Sequence, residues 1–218
     1  MPDQSDSARV FYDRISGAYD ALSDASEHTY RERGLELLAV REGETVLEIG
    51  YGTGHSLAAL AQSVGASGRV VGVDVSEGMR DVALKRLAGK DLADRVDLRV
   101  QPAPPLPGED GAFDAVSLSF TFELFEPDVR EALLAEIRRV LTSGGRLGVV
   151  SMAAVPSGER ESVLEKTYRW MHQHFPHIVD CQPIPLEEIL EKADFELVEV
   201  ERKDMFTMPV AMTVATPR

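Results

Sequence analysis

Thr45-Val46-Leu47-Glu48-Ile49-Gly50-Tyr51-Gly52-Thr53-Gly54-His55 joins a short apolar run to three alternating glycines. The run has the length and β-branched content of a buried strand, and Ser56 to Val64 after it has the apolar spacing of a helix. Glycines between a strand and a helix let the main chain turn sharply and let a ligand come close to it. Strand, glycine turn and helix form the opening unit of an open α/β sheet, which holds its ligand beyond the carboxyl ends of the strands.

The same alternation continues downstream. Arg69 to Val75 is a Val-rich second strand, and Glu77 to Leu87 a helix with Ser76 as its N-cap. Val96–Val100 and Ala112–Ser119 read as strands three and four. Val129 to Leu141 is an amphipathic helix stopped by Gly144-Gly145, and Arg146–Ser151 is strand five. Repeated strand–helix units predict a parallel sheet covered on both faces, with right-handed crossovers. Upstream, Ser7 to Leu22 and Glu27 to Val40 read as helices, the second weakened by Gly34. After Ser151 come a helical stretch from Glu159 to His174, a proline-punctuated link and a helix from Leu186 to Lys192. Strands Phe195–Val200 and Val210–Val214 close the chain as an antiparallel edge hairpin. The expected fold is therefore a Rossmann-like, doubly wound, mostly parallel seven-stranded sheet with that hairpin, N-terminal helices and a helical insertion after strand five. Residues 1–218 read as one domain: a helical cover over 1–42, a core over 43–151, an insertion or lid over 152–193, and edge strands over 194–218.

Composition narrows the partners. Net charge is −14, from 37 Asp and Glu against 23 Lys and Arg, and 44% of the 218 residues are hydrophobic. That is enough apolar material for a core, while an acidic surface repels nucleic acid and anionic lipid. The lone Cys181 excludes an internal disulfide and fits a reducing compartment; with no secretory signal and no run long enough to span a bilayer, the expected location is the cytoplasm. His172, His174, His177 and Cys181 do not have zinc-site spacing, so no metal is expected. The sequence leaves the oligomeric state open between monomer and homodimer.

Two acids flank the glycines. Asp74 ends the second strand, where a carboxylate can accept hydrogen bonds from both ribose hydroxyls. A dinucleotide site would need a third glycine where His55 stands, and Glu48 would repel a pyrophosphate but attract an ammonium group. A ligand with a ribose and an amino-acid end, and no phosphate, satisfies both acids. A nucleotide-dependent oxidoreductase is thereby the weaker alternative.

Four segments together resemble the class I S-adenosylmethionine-dependent methyltransferases. They are Val46–Gly54, Gly72-Val73-Asp74-Val75-Ser76-Glu77-Gly78-Met79, Phe113-Asp114-Ala115-Val116 and Leu141-Thr142-Ser143-Gly144-Gly145-Arg146-Leu147. Phe11-Tyr12-Asp13-Arg14-Ile15-Ser16-Gly17-Ala18-Tyr19-Asp20 is similar to the opening of the ubiquinone/menaquinone-biosynthesis methyltransferase-like group. The resemblance implies S-adenosyl-L-methionine as cofactor and a small-molecule acceptor. It implies that Gly50, Gly52 and Gly54 line the methionine part, Glu48 orients its amino group, Asp74 holds the ribose, and Val75 and Met79 pack on the adenine. Where the family often carries an acid against adenine stands Pro102, which leaves that task to Gln101 or to main chain near Ala103 and keeps open a cofactor-binding protein without transferase activity.

By the same resemblance Ser119 and Phe120 lie at the mouth between cofactor and acceptor. Phe120, Phe122, Leu124 and Phe125 either wall an apolar acceptor or pack beneath the next helix. Tyr12 and Tyr19 either cap the site and bond the cofactor carboxylate or anchor a helix. Methyl transfer from a sulfonium needs alignment and dry surroundings, and a base only where the acceptor must lose a proton. The candidates for such a base are His55, beside a helix N-terminus that disfavours a cation, Asp20, and the cluster His172, His174 and His177, with Tyr19 a further active-site candidate.

Overall fold

The computed structural model describes residues 27–154, 183–205 and 208–218. Strands β1 (Thr45–Ile49), β2 (Arg69–Asp74), β3 (Val96–Val100), β4 (Phe113–Ser119), β5 (Leu141–Met152), β6 (Phe195–Met205) and β7 (Met208–Pro217) form one sheet in the order β3-β2-β1-β4-β5-β7-β6. The first five pair in parallel, and β7 runs antiparallel to both β5 and β6. This is the doubly wound, mostly parallel, seven-stranded sheet with an edge hairpin that the sequence predicts. The strand order reverses between β1 and β4, which places the glycine loop at the switch point, where such sheets open a crevice.

Burial explains the central strands. Val46, Leu47 and Ile49 of β1 are essentially inaccessible on both faces, as a strand covered by helices on each side requires. One face packs Leu57, Leu60 and Ala61 of α2 (His55–Ser63) and Ala83 and Leu87 of α3 (Glu77–Ala88). The other packs Leu133, Leu134, Ile137 and Val140 of α4 (Pro127–Val140) and Leu186 and Leu190 of α5 (Leu186–Lys192). The Ser76 hydroxyl accepts a hydrogen bond from the Met79 N–H at 3.0 Å, the expected cap of α3.

Helix α1, residues 27–38, covers the β5–β7 side. Its Tyr30 and Leu37 meet Phe120, Val150, Met152, Val210 and Met212. The Tyr30 hydroxyl donates to the Asp204 carbonyl at 2.7 Å, and Arg33 pairs with Glu201. Gly34 has a positive use here, because a Cβ at this position would collide with the Val150 side chain. The residue that weakens the helix locally is the one that lets it lie close to the sheet.

The structure corrects the start of β5, expected at Arg146 and found at Leu141. Helix α4 stops at Val140, and Leu141 is already extended and paired with Phe113. Gly144 and Gly145 lie inside β5, where the pairing jumps from Phe113–Leu141 to Ala115–Arg146. The glycines serve an irregularity in the strand and not a helix terminus. Strands β6 and β7 are also longer than read from sequence, because their mutual pairing extends past the apolar positions. The expected helices Ser7–Leu22 and Glu159–His174 lie outside the described residues.

Candidate functional site

At the carboxyl ends of β1, β2 and β4 a cavity of about 350 Å³ opens, within the usual size range of small-ligand sites. It brings together Glu48, Gly50, Gly52, His55, Asp74, Val75, Met79, Gln101, Ala103 and Ser119, nearly all of the described residues singled out from sequence. Gly54 is the exception. It caps α2 at φ 81° and a Cβ there would lie 2.8 Å from the Ala83 Cβ, so its task is helix packing and it does not line the cavity. Tyr12, Tyr19, Asp20, His172, His174 and His177 lie outside the described residues.

The glycine loop is shaped by its neighbours. Gly50 has φ 72°, and a Cβ on it would strike the Thr121 side chain. Gly52 has φ 49° with nothing within 4 Å of a Cβ position, so its main chain faces open space. Its N–H donates to Asp74 Oδ2 at 2.8 Å, while the Ser76 N–H donates to Asp74 Oδ1 at 2.9 Å. Both carboxylate oxygens are thus oriented by main chain.

Glu48 is the most unusual group. It sits near the end of β1, 2% exposed, and its Oε2 accepts no hydrogen bond from any described residue. Burial pushes its carboxyl up to about 8 and Asp74 adds to the rise; the Ser56 hydroxyl and the Arg31 charge act in the opposite sense. An unsatisfied buried carboxyl on a cavity wall is a ready partner for an ammonium group.

Sequence reasoning missed several lining residues. Arg31 of α1 reaches the cavity, as do Ser56, Thr121 and Val129. No local signal marks Arg31, because only the docking of α1 brings its charge within range of Glu48. The aromatic loop after β4 divides between its two readings. Phe120, Leu124 and Phe125 line the cavity, whereas Phe122 is fully buried in the core. Phe120 holds φ 50°, a conformation that a bulky residue adopts only when its surroundings impose it. The Gln101 side-chain amide donates to the Pro105 carbonyl at 3.2 Å, which leaves its oxygen available as an acceptor beside Pro102. Among the described residues no group of three His, Cys, Asp or Glu could hold a metal, and no helix is long and apolar enough to cross a membrane.

The chain is similar to known proteins. The family described as Methyltransferase domain matches residues 46–145. The chain is 33% identical over 161 residues to the ubiquinone/menaquinone biosynthesis C-methyltransferase of Hydrogenovibrio crunogenus, an alignment covering 72% of this chain and 61% of that protein. It spans about three fifths of the length of the first curated relatives that it matches. It is also 29% identical over 241 residues to the demethylmenaquinone methyltransferase of Symbiobacterium thermophilum, covering 96% of this chain and 92% of that one. In fold it is similar to the Burkholderia thailandensis 1,6-didemethyltoxoflavin-N1-methyltransferase, solved with 1,6-didemethyltoxoflavin and S-adenosylhomocysteine. The TM-score is 0.71 at 19% identity, over 99% of this chain and 90% of that chain.

Proposed function

We propose that the chain, whose residues 46–145 match the family described as Methyltransferase domain, transfers the methyl group of S-adenosyl-L-methionine to a small, apolar or aromatic acceptor. The observation that carries this reading is the pair of acids beside one glycine loop: Asp74 at the end of β2, oriented by two N–H groups, and Glu48 in β1, buried with an unsatisfied oxygen. The cofactor supplies an electrophilic methyl on a sulfonium. Glu48 takes its ammonium group, Arg31 on the cavity wall takes its carboxylate, and Asp74 takes the ribose hydroxyls. Val75 and Met79 pack on the adenine, and the Gln101 amide oxygen accepts from its amino group in place of the absent acid. The Phe120, Leu124 and Phe125 side chains keep water from the transfer path and line the acceptor up with the methyl, where position alone supplies much of the acceleration.

The names of the curated relatives favour a quinol ring methylated at carbon. Such an acceptor loses a proton as the new bond forms, and His55, at the first turn of α2 and on the cavity wall, is placed to receive it. The acidic surface disfavours nucleic acid as the acceptor, and the lone cysteine favours a reducing compartment, the cytoplasm.

Calorimetry with S-adenosylmethionine and with NAD tests the cofactor. Heat from the first and none from the second is expected; the reverse would overturn the reading. Anaerobic transfer of labelled methyl to reduced 1,4-naphthoquinone then tests the acceptor. Turnover of only charged or macromolecular acceptors would exclude the apolar class, and binding without turnover of any acceptor would leave a cofactor-binding protein.

A further inference from the structure

Strand β5 outruns its neighbour. The last β4 pair is Ser119–Val150, and the Phe120 N–H closes the ladder by donating to the Val150 carbonyl at 2.7 Å. On its other edge β5 remains paired to β7 through Met152–Val210. The Met152 N–H, past the end of β4, has no strand to donate to, and a buried N–H without an acceptor is costly. Glu123 fills this place. Its Oε1 accepts from the Met152 N–H at 3.1 Å, and the Arg130 guanidinium donates to the Glu123 main-chain carbonyl at 3.2 Å. Glu123 is 2% exposed and Arg130 8% exposed.

This is an expensive way to satisfy one N–H. Glu123 Oε2 and Arg130 Nε are buried without a partner among the described residues. Burial pushes the Glu123 carboxyl up to about 7, while the N–H groups of Glu123 and Met152, the neighbouring Ser151 hydroxyl and the Arg130 charge act to lower it. Burial in turn lowers Arg130, while Glu123 and Glu126 act to raise it. A serine or a water molecule could satisfy the amide at lower cost. What the carboxylate adds is reach. It ties the turn Phe122–Leu124 rigidly to the end of β5, and this turn lies between Phe120, held at φ 50°, and Phe125, both on the cavity wall.

We propose that Glu123 is a positioning residue that sets the Phe120–Phe125 wall of the cavity, and through it the fit of an apolar ring, by standing in for the missing strand at Met152. Its effect on an acceptor rests on the methyl-transfer reading above; its hold on the wall does not. Three measurements on the full chain test it: amide hydrogen exchange at Met152 and at Phe120–Phe125, affinity for S-adenosylhomocysteine, and affinity for 1-naphthol, an unreactive two-ring probe. In Glu123→Ala, exchange at Met152 and across Phe120–Phe125 rises about five- to tenfold, as the loss of one hydrogen bond predicts. Naphthol affinity falls about tenfold, and S-adenosylhomocysteine affinity stays within about twofold. Glu123→Gln keeps an oxygen for the Met152 N–H and restores both the exchange rates and naphthol affinity. Glu123→Asp keeps the charge but is one methylene too short, so it behaves like Glu123→Ala and serves if that variant does not fold. Unchanged exchange at Phe120–Phe125 overturns the proposal. So does a Gln variant as impaired as the Ala variant, and so do equal losses of naphthol and S-adenosylhomocysteine, the mark of general destabilisation. Failure of naphthol to bind the native protein counts against the apolar-acceptor reading, while the exchange rates still decide the role of Glu123.

Discussion

Ligand binding should depend on pH through Glu48, with a sign and size that the structure sets. Burial holds this carboxyl near 8 in the free protein, and only the ionised form attracts an ammonium group. The competent fraction is about one half at pH 8 and about one hundredth at pH 6, and apparent affinity scales with that fraction. With the bound ammonium keeping Glu48 ionised, the dissociation constant of S-adenosylhomocysteine rises about fifty-fold from pH 8 to pH 6, or about 2 kcal/mol. Calorimetry at pH 6, 7 and 8, in two buffers of different ionisation heat, reads the affinity and the proton count together. About one proton should be released for each ligand bound at pH 7. Glu48→Gln removes the titration, so its affinity is flat over this range and about ten- to a hundredfold below native at pH 8, the worth of one charge-assisted hydrogen bond. Stability moves in the opposite direction. The folded value lies above the ordinary 4.5, so the native chain keeps its full stability below that pH and loses it as pH rises toward 8. The loss reaches about 4 kcal/mol at pH 8, and Glu48→Gln recovers it less the cost of burying an amide. Urea melts at pH 5 and pH 8 separate the two proteins. A native affinity unchanged between pH 6 and 8, or a Gln variant that keeps the slope, would refute the assignment.

The glycine loop gives a paired test. Gly50→Ala adds a clash with Thr121 to the strain of φ 72°, and should cost about 2–3 kcal/mol and most of the ligand affinity; Gly52→Ala meets no neighbour and should cost only the strain, about 1 kcal/mol. Urea denaturation and calorimetry distinguish them, and equal effects would contradict the geometry. Asp74→Ala removes the acceptor of the Gly52 and Ser76 N–H groups together with the ribose contact, so S-adenosylhomocysteine should bind about a hundredfold more weakly; unchanged affinity would show the ribose assignment to be wrong. Phe122→Ala opens a cavity in the main core and should lower unfolding free energy by about 3–5 kcal/mol in urea melts, whereas Leu124→Ala, 37% exposed, should cost far less.

The sheet was readable because each of its elements carries a local signal. Helices follow β1, β2 and β4, Ser76 announces a cap, and three glycines mark the turn at β1. Glu48 was readable too, as an acid inside a strand otherwise buried on both faces. What escaped depends on contacts between distant segments. The start of β5 differs because Gly144-Gly145 looks like a helix stop, while the pairing of Leu141 with Phe113 draws the chain into a strand five residues before Arg146. Arg31 carries no mark in sequence, since its place on the cavity wall follows from Gly34 allowing α1 to approach Val150. Among Phe120, Phe122, Leu124 and Phe125, the 3₁₀ turn at Phe122–Leu124 decides which rings face the cavity and which face the core, and spacing alone does not reveal it.

The acids show where such reading ends. Leu47-Glu48-Ile49, Phe122-Glu123-Leu124 and Val198-Glu199-Val200 are three of the places where a glutamate stands between apolar residues. Glu48 and Glu123 are buried and pushed toward neutrality, one on the cavity wall and one behind it. Glu199 is exposed, because β6 is the last strand of the sheet and Val198 and Val200 beside it are exposed as well. The pattern therefore identifies acids that could be buried, and their tertiary setting, a central strand for Glu48 and the turn packed on the end of β5 for Glu123, selects those that are. The net charge of −14 overstates the charge that folding presents to solvent by these two groups wherever they hold their protons. Below about pH 7 both are largely neutral. A bound ammonium group recharges Glu48 alone, because Glu123 does not line the cavity. Ligand binding should then leave the Glu123 titration nearly in place while moving that of Glu48 down, so carboxyl NMR of the two side chains with and without S-adenosylhomocysteine separates the acid that holds the ligand from the acid that holds the wall.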